Sequence, residues 1–340
     1  MQTSAKRVLL EALLDQSLRR FADAPNRELR KLVDLGGTLV TGQSQKKFFD
    51  LARSMLEQDD SPYYTLVTQL VQHTDRKALK QFGIALGYDS WTRGAAQIRR
   101  QEREAGYNFP WTLIFEEGCT GAPLSPERLS RLLAEARGLG VHSFFFRLVG
   151  DCVPLDTVLE LAEECPDCAF LLLLDPEALP ERSGPVLAAH PNCLSLLKAG
   201  AGCALEDLAG LLYDRRALFG LWESYGPGCC PDAGRIDALC ELAAQLGAPL
   251  ALFSAEDGCT DEECRSTGKL VCKSRLEPAA PALAADLYTD VLLIDQIISQ
   301  GSCTAQVWPD GRMAVDGQLS AFDLHRHGLA QVLKTVSARL

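Results

Sequence analysis

The sequence predicts a mixed α/β fold: a partial (β/α)6, TIM-like barrel, preceded by an all-helical domain and followed by a small hairpin-plus-helix extension. Three observations predict it. The first third of the chain spaces its apolar residues three and four apart, as amphipathic helices do. Six later segments are apolar nearly throughout, which is typical of strands buried on both faces of a parallel sheet. A Pro-Asp-Gly turn near the C-terminus separates two short strands.

The helical domain is predicted over residues 1–108. Segments such as "AKRVLLEALLDQSLRRFA" and "SQKKFFDLARSMLEQ" have helical periodicity, and Gly36-Gly37 and Asp59-Asp60-Ser61-Pro62 interrupt them. No alternating, strand-like segment occurs between them.

The barrel is predicted over residues 109–275. It starts with the strand "WTLIFEE", and the helix after it has Ser125 as its N-cap and Pro126 in its first position. The other predicted strands are "SFFFRLVG", "AFLLLLD", "CLSLLKAG", "ALFGLWESYG" and "PLALFSAE". Right-handed crossovers curl such a parallel sheet, but six units are too few for the eight of a closed TIM barrel.

The extension is predicted over residues 276–340. Pro309, Asp310 and Gly311 form the turn of a hairpin in "TAQVWPDGRMAVDG", and "RHGLAQVLKTVSARL" closes the chain as a helix.

Composition limits the class of protein. The chain has 340 residues, 47% of them hydrophobic and 23% charged, as in soluble globular proteins, and no apolar run approaches the roughly 20 residues that span a bilayer. Glu11 and Asp15 interrupt the first apolar stretch, which argues against a signal peptide. We therefore expect a cytoplasmic protein with no membrane partner, whose 13 cysteines are thiols rather than disulfides.

The net charge of −11 is unevenly distributed. Residues 1–110 contain 17 basic and 13 acidic side chains, which leaves 17 basic and 32 acidic side chains for the rest. An acidic main body repels backbone phosphates, so we expect no nucleic-acid partner.

The order of several segments resembles the radical-SAM superfamily, and more closely a bacterial radical-SAM family with a C-terminal SPASM-like extension. The resemblance covers roughly residues 107–316 and is carried by "YNFPWTLIFEEG", "LSPERLSRLLAEARGLGV", "VGDCVPL", "LELAEECPDCAFLLLL", "LFGLWESYG" and "GSCTAQVWPDGRM". It implies a partial barrel that binds a [4Fe–4S] cluster and S-adenosylmethionine through three thiolates, usually spaced C-x3-C-x2-C, on the loop after the first strand.

The cluster motif is missing from this loop, where Cys119 is the only cysteine. With Cys119 placed first, second or third in the motif, the two remaining positions are Pro123 and Pro126, Phe115 and Ala122, or Thr112 and Glu116. None of these pairs supplies a second thiolate, so Cys119 is interpreted as a remnant and a conventional cluster is not expected.

Other landmarks of the resemblance are eroded too. Gly150 and Asp151 stand where the family has a Gly-Gly-Glu-Pro stretch that binds the methionine amino group, and Asp175 stands where it has Thr-Asn-Gly. These are the predicted remnants of the S-adenosylmethionine site. Cys303 matches the cysteine before the hairpin of a SPASM-like extension, but no second cysteine follows the hairpin.

Further polar residues are candidates with ordinary structural alternatives. Cys165 and Cys168 form a CxxC at the C-terminal end of a predicted helix, the wrong end for lowering a thiol pKa. Cys259, Cys264 and Cys272 could gather a metal, although Thr260 is equally well placed as a helix cap. Acidic residues near the carboxyl ends of predicted strands could perform acid–base chemistry: Glu116, Glu117, Asp151, Asp175, Glu223, Glu256 and Asp257.

These observations leave several functional hypotheses. The first is a radical-SAM-like protein without a conventional cluster, which has no catalytic residue and no cofactor and acts as a binding or partner subunit for a peptide or protein at the barrel mouth or the helical domain. The alternative is an enzyme, either with an iron–sulfur cluster on an unorthodox set such as Cys119, Cys152 and Cys259, or with metal-free chemistry at the acidic residues. A third is a structural interaction protein without a ligand.

Overall fold

A computed structural model describes residues 5–21, 23–39, 43–150, 152–299 and 301–339. The chain divides into two compact units. The first unit comprises Met1–Lys80, Arg182–Pro191 and Leu196–Asp290, and the second comprises Gln81–Glu181, Asn192–Ser195 and Val291–Leu340. The three predicted domains, 1–108, 109–275 and 276–340, stay a prediction.

Helices account for nearly all of the described residues before position 106. They are α1 (Ala5–Arg20), α2 (Pro25–Leu39), α3 (Gln43–Met55), α4 (Pro62–His73), α5 (Arg76–Ile84), a π-helical segment (Ala85–Gly94) and α6 (Ala95–Ala105). In the first unit, Tyr64 on α4 donates its hydroxyl to the Leu56 carbonyl at 2.7 Å within an apolar cluster. The amphipathic spacing of the sequence thus produces helices, as predicted.

The strands follow in ten segments. They are β1 (Thr112–Phe115), β2 (Ser143–Leu148), β3 (Ala169–Leu174), β4 (Cys193–Lys198), β5 (Phe219–Tyr225), β6 (Leu250–Ala255), β7 (Leu283–Asp286), β8 (Ala305–Val307), β9 (Met313–Val315) and β10 (Gln318–Leu319). All six predicted strands are present.

The second unit contains the strand order β10-β9-β8-β1-β2-β3. β1 pairs in parallel with β2 and with β8, and β2 pairs in parallel with β3. β8 and β9 form the predicted hairpin, in which Gly311 N donates to the Trp308 carbonyl at 3.0 Å. β8 was not predicted to join β1, because three residues without a long apolar run do not indicate a parallel neighbour.

The first unit contains β5, β6 and β7 in that order, all parallel. β7 was also not predicted, since "LAAD" follows a Pro- and Ala-rich stretch and consists of small residues. Within the described residues β7 and β10 each pair with one neighbour only, so the sheet is not closed. A mixed α/β fold with a parallel sheet is therefore confirmed.

The helices between and after the strands have recognisable boundaries. They are α7 (Pro126–Leu139), α8 (Leu155–Glu164), α9 (Ser183–Ala188), α10 (Gly202–Asp214), α11 (Ala233–Gln245), α12 (Asp261–Leu276), α13 (Leu287–Ile298) and α14 (Leu329–Val336). Ser125 caps α7 by accepting from Arg128 N at 3.3 Å, and Thr260 and Glu263 form a capping box on α12. Both predicted caps are confirmed.

The core of the second unit consists of aromatic and aliphatic strand residues. Every residue of β1 and β3 is buried. Phe115 stacks on Phe146 with 4.2 Å between ring centroids, and the ring centroids of Phe144 and Phe170 are 5.6 Å apart. Burial on both faces explains why these strands are apolar throughout, and it holds their carboxyl ends in fixed positions. Among the described residues, no helix is both long enough and apolar enough to cross a membrane.

Candidate functional site

A buried ion pair lies at the carboxyl ends of β1, β2 and β8 in the second unit. Arg147 Nε donates to Glu116 Oε2 at 3.0 Å, and Gln306 Nε2 donates to Glu116 Oε1 at 2.9 Å. The side chains of Arg147 and Glu116 are 9% and 13% exposed. Glu116, predicted as an acid–base candidate, thus joins three parallel strands.

The loop after β1 is fastened to the β8–β9 hairpin. Asp310 Oδ2 accepts hydrogen bonds from the backbone N and from the hydroxyl of Thr120, both at 2.8 Å. Farther along, Leu124 N donates to the Pro309 carbonyl at 2.6 Å. The same turn that the sequence indicated by its Pro-Asp-Gly triplet therefore supplies the partners of the loop.

Asp310 is ionised at neutral pH. Arg312 Nε donates to both of its carboxylate oxygens at 3.0 Å, and the Arg312 guanidinium lies 5.3 Å from the centre of the Trp308 ring. Burial raises the pKa of Asp310, but the hydrogen bonds from Arg312 and Thr120 outweigh it and hold the pKa well below its ordinary value.

Cys119 on this loop lies beside Cys152, which follows β2. Both thiols are half-buried. Burial, the contact with Cys152 and the negative charge of Asp310 raise the pKa of Cys119 to about 11. Two members of the unorthodox cysteine set are therefore together. The third, Cys259, belongs to the first unit, where its thiol donates to the Tyr225 carbonyl at 3.4 Å.

The residues here do not fit a radical-SAM cluster. Such a cluster needs three thiolates on the loop after the first strand. This loop has one thiol, Cys119, and the neighbouring Cys152 lies on the loop after β2. The main chain at Thr120 and Leu124 is bonded to the hairpin.

The predicted S-adenosylmethionine positions are in ordinary local structure. Gly150 lies in a bend after β2, and a Cβ there would be 3.9 Å from Glu117 Oε2, which is normal contact. Asp175 caps a short 3-10 turn by accepting from Glu177 N at 3.1 Å. Asp151 lies outside the described residues.

Cys303, predicted as a remnant metal ligand, is packed in the interior. It is 1% exposed, and its Sγ lies 3.7 Å from the Asn108 carbonyl and 3.8 Å from Ser337 Oγ. Burial, together with Asp295 nearby, raises its pKa far above the ordinary value, so Cys303 is a protonated core thiol.

Acidic candidates in the first unit also have partners. Arg235 donates to Glu223 Oε1 at 2.5 Å, and Ser224 Oγ donates to Glu256 Oε1 at 2.6 Å. Arg235 additionally donates to the Ser224 carbonyl at 2.9 Å. Their predicted place at the carboxyl ends of strands is correct for β5 and β6, but each is held by a neighbouring side chain.

The metal prediction for Cys259, Cys264 and Cys272 is not supported within the described residues. There, the only group of three His, Cys, Asp or Glu side chains with ligand atoms within 4.8 Å of one another is His142, Asp167 and Cys168. The sequence indicated only the CxxC of this group, and His142 was not a candidate. What it lacked was the register that places the starts of β2 and β3 side by side.

No family model and no curated protein matches the chain. Among solved structures it is similar to Streptococcus suis SuiB bound to S-adenosylmethionine, with 11% identity over 69% of this chain and 66% of SuiB and a TM-score of 0.49. It is also similar to native anSMEcpe with bound AdoMet, S-adenosylmethionine, with 12% identity over 66% and 80% of the two chains and a TM-score of 0.42. A third is type I 3-dehydroquinate dehydratase of Clostridium difficile, with 11% identity over 60% and 85% and a TM-score of 0.38.

These similarities agree with the predicted resemblance, but at such scores they do not establish a family. The chain covers slightly less than two thirds of SuiB. They do correct one prediction. We expected no cofactor, whereas two of these structures contain S-adenosylmethionine, so the prediction of none is wrong and is withdrawn.

Proposed function

We propose that this protein is a radical-SAM-like, partial (β/α)6 barrel that lacks a conventional [4Fe–4S] cluster and acts as a non-catalytic ligand-binding or partner subunit. Residues 276–340 are, in this proposal, a SPASM-like remnant. The observation that carries it is the loop after β1, whose main chain at Thr120 and Leu124 is bonded to the hairpin and whose one thiol is Cys119.

The bonding of this loop supports a binding role rather than radical chemistry. A cluster-bearing loop presents three thiolates and leaves one iron for S-adenosylmethionine. In this protein Asp310 holds the loop in place instead, because it accepts two hydrogen bonds from Thr120. At the carboxyl ends of β1 and β2, Arg147 and Glu116 form an ion pair, so these two charged groups already satisfy one another.

S-adenosylmethionine is the first ligand to test, and a peptide or protein at the barrel mouth or the helical region is the second. In the second unit, the Arg312–Trp308 pair lies in the hairpin turn after β8, and the Cys119–Cys152 pair lies on the loops after β1 and β2. A protein without the cluster can bind S-adenosylmethionine but cannot cleave it reductively, because that cleavage requires the cluster.

Anaerobic reconstitution with iron, sulfide and reductant tests the proposal. We expect no stoichiometric iron and no visible charge-transfer band in the desalted protein. Isothermal titration with S-adenosylmethionine then measures ligand binding independently of iron. About four irons per chain would overturn the cluster-free proposal.

An enzyme with unorthodox ligands is the second candidate, and the contact between Cys119 and Cys152 favours it. The same reconstitution separates the two. Iron that binds the wild type and is lost in Cys119→Ser and Cys152→Ser, but not in the exposed control Cys203→Ser, supports the enzyme.

A further inference from the structure

The amino ends of β2 and β3 bring together a buried imidazole, a carboxylate and two thiols. His142 precedes β2 and is 3% exposed, and Asp167 and Cys168 precede β3 with 5% and 0% exposed. His142 Nδ1 lies 3.8 Å from Cys168 Sγ and 3.6 Å from Asp167 Oδ2. Cys165, 5% exposed, precedes Cys168 by three residues in the same turn.

The distances fit a tetrahedral metal ion. Zinc binds cysteine sulfur at about 2.3 Å and histidine nitrogen or carboxylate oxygen at about 2.0–2.2 Å, so neighbouring ligand atoms are about 3.3–3.8 Å apart. The two measured separations, 3.6 and 3.8 Å, are at this spacing before any metal is added. We propose that His142, Asp167 and Cys168, whose ligand atoms lie within 4.8 Å of one another, form a structural zinc site, with Cys165 on the same turn as the fourth ligand.

The main chain holds the two thiols in a rigid turn. Cys168 N donates to the Cys165 carbonyl at 3.0 Å. The Asn192 side-chain amide, 2% exposed, donates to the carbonyls of Ala162, Cys165 and Cys168 at 2.9, 3.2 and 3.1 Å. A C-x2-C turn fixed in this way is the usual half of a structural zinc site, and Asn192 is its outer support.

Both oxygens of the Asp167 carboxylate already accept from arginines. Arg137 donates to Oδ1 at 2.7 Å, and Arg93 donates to Oδ2, the oxygen that faces His142, at 3.3 Å, so the second lone pair of Oδ2 would bind the metal. Arg137 also lies 3.8 Å from Cys165 Sγ. Hydrogen bonds of this kind orient ligating carboxylates and thiolates.

The local charge also balances. Arg93 and Arg137 are paired with Asp89 and Asp167, since Arg93 lies 3.0 Å from Asp89 Oδ1 and Arg137 lies 2.7 Å from Asp167 Oδ1. Zinc that replaces two thiol protons leaves this total unchanged. With metal on Nδ1, the ring proton of His142 lies on Nε2, 3.5 Å from the Arg93 guanidinium, so Arg93 must turn from the ring toward Asp89 and Asp167 when the metal binds.

The site is closed, which assigns it a structural role. Four protein ligands leave no open position for water, as in structural zinc sites. Its place at the amino ends of barrel-type strands is where stability rather than catalysis is expected. The metal would join the helix that precedes β3 to the start of β2.

Anaerobic titration of the reduced, chelator-treated full chain with Co²⁺ tests the site. We expect one Co²⁺ per chain with the intense visible bands of tetrahedral thiolate coordination, and displacement by Zn²⁺. Cys165→Ser and Cys168→Ser should lose the bands, whereas the control Cys193→Ser, a buried thiol at the start of β4, should keep them. Asn192→Ala should weaken binding about 10- to 100-fold.

A second measurement uses the wild type alone. Bound Zn²⁺ should protect Cys165 and Cys168 from alkylation, as mapped by mass spectrometry, while the exposed Cys203 and Cys272 react with or without it. Reduced wild-type protein that takes up no Co²⁺ would overturn the proposal. So would protection that falls on other cysteines, or a Cys165–Cys168 disulfide in metal-free protein prepared with reductant.

Discussion

Among the described residues of the second unit, each buried charged side chain has a partner within hydrogen-bonding distance. The pair of Arg147 and Glu116 is the clearest case, because both side chains are nearly inaccessible and Gln306 takes the second carboxylate oxygen. Removing one member of such a pair costs more than removing both, since the remaining charge is left without water or a counter-ion.

Glu116→Ala should therefore destabilise the protein by about 3 kcal/mol, because it removes the buried carboxylate that accepts from both Arg147 and Gln306. The double variant Glu116→Leu, Arg147→Met should be clearly more stable than this single variant. Urea unfolding measures both, with the exposed Glu181→Ala as control. A double variant that is the least stable of the three would contradict the argument.

At the scale of elements, the loop after β1 depends on a hairpin far along the chain. Thr120 and Asp310, which join them, are 190 residues apart. The two are neighbours because β8 pairs in parallel with β1. The depressed pKa of Asp310 means that this attachment is present at neutral pH and weakens as the pH falls below the ordinary value for aspartate.

Asp310→Ala should release the loop, because the backbone N–H and the hydroxyl of Thr120 both lose their acceptor. We expect amide hydrogen exchange at residues 117–125 to become faster, because the free energy of local opening falls by on the order of 1–2 kcal/mol. Asp316→Ala is the matched control, since Asp316 bonds Ser302 and Thr304 at the other end of the hairpin. Equal acceleration in both variants would refute a specific role for Asp310.

At the scale of the whole molecule, stability should depend on a buried acid. Burial raises the pKa of Asp295 to about 7, with Asp316 and Glu102 adding to the rise and a hydrogen bond from Cys303 N, at 3.1 Å, opposing it. Between about pH 4 and pH 7 the folded protein holds a proton that the unfolded chain releases, so stability falls as pH rises through this window.

Asp295→Asn should remove this penalty, because asparagine has no proton to lose and still accepts from Cys303 N. We expect the variant to be more stable than the wild type by on the order of 2 kcal/mol near pH 8, with no gain near pH 4. Urea unfolding across this range measures the difference, and exposed Asp207→Asn is the control. Two parallel curves would show that Asp295 does not carry the pH dependence.

The sequence by itself determined most of the secondary structure. Uninterrupted apolar runs such as those of β2 and β3 have one stable solution, burial on both faces, and Ser125 and Thr260 mark helix starts by local hydrogen bonding. The absence of a second thiolate at motif spacing from Cys119 was also readable, because cluster motifs are local in the chain.

Only the tertiary structure decided which distant residues meet. β7 and β8 are short and carry no periodic signal, so their parallel pairing with β6 and β1 is set by packing. That pairing brings Asp310 to Thr120, and the register of β2 and β3 brings His142 to Asp167 and Cys168. Local propensity fixes an element from its own residues, whereas a site assembled from several loops depends on strand order, which no single segment encodes.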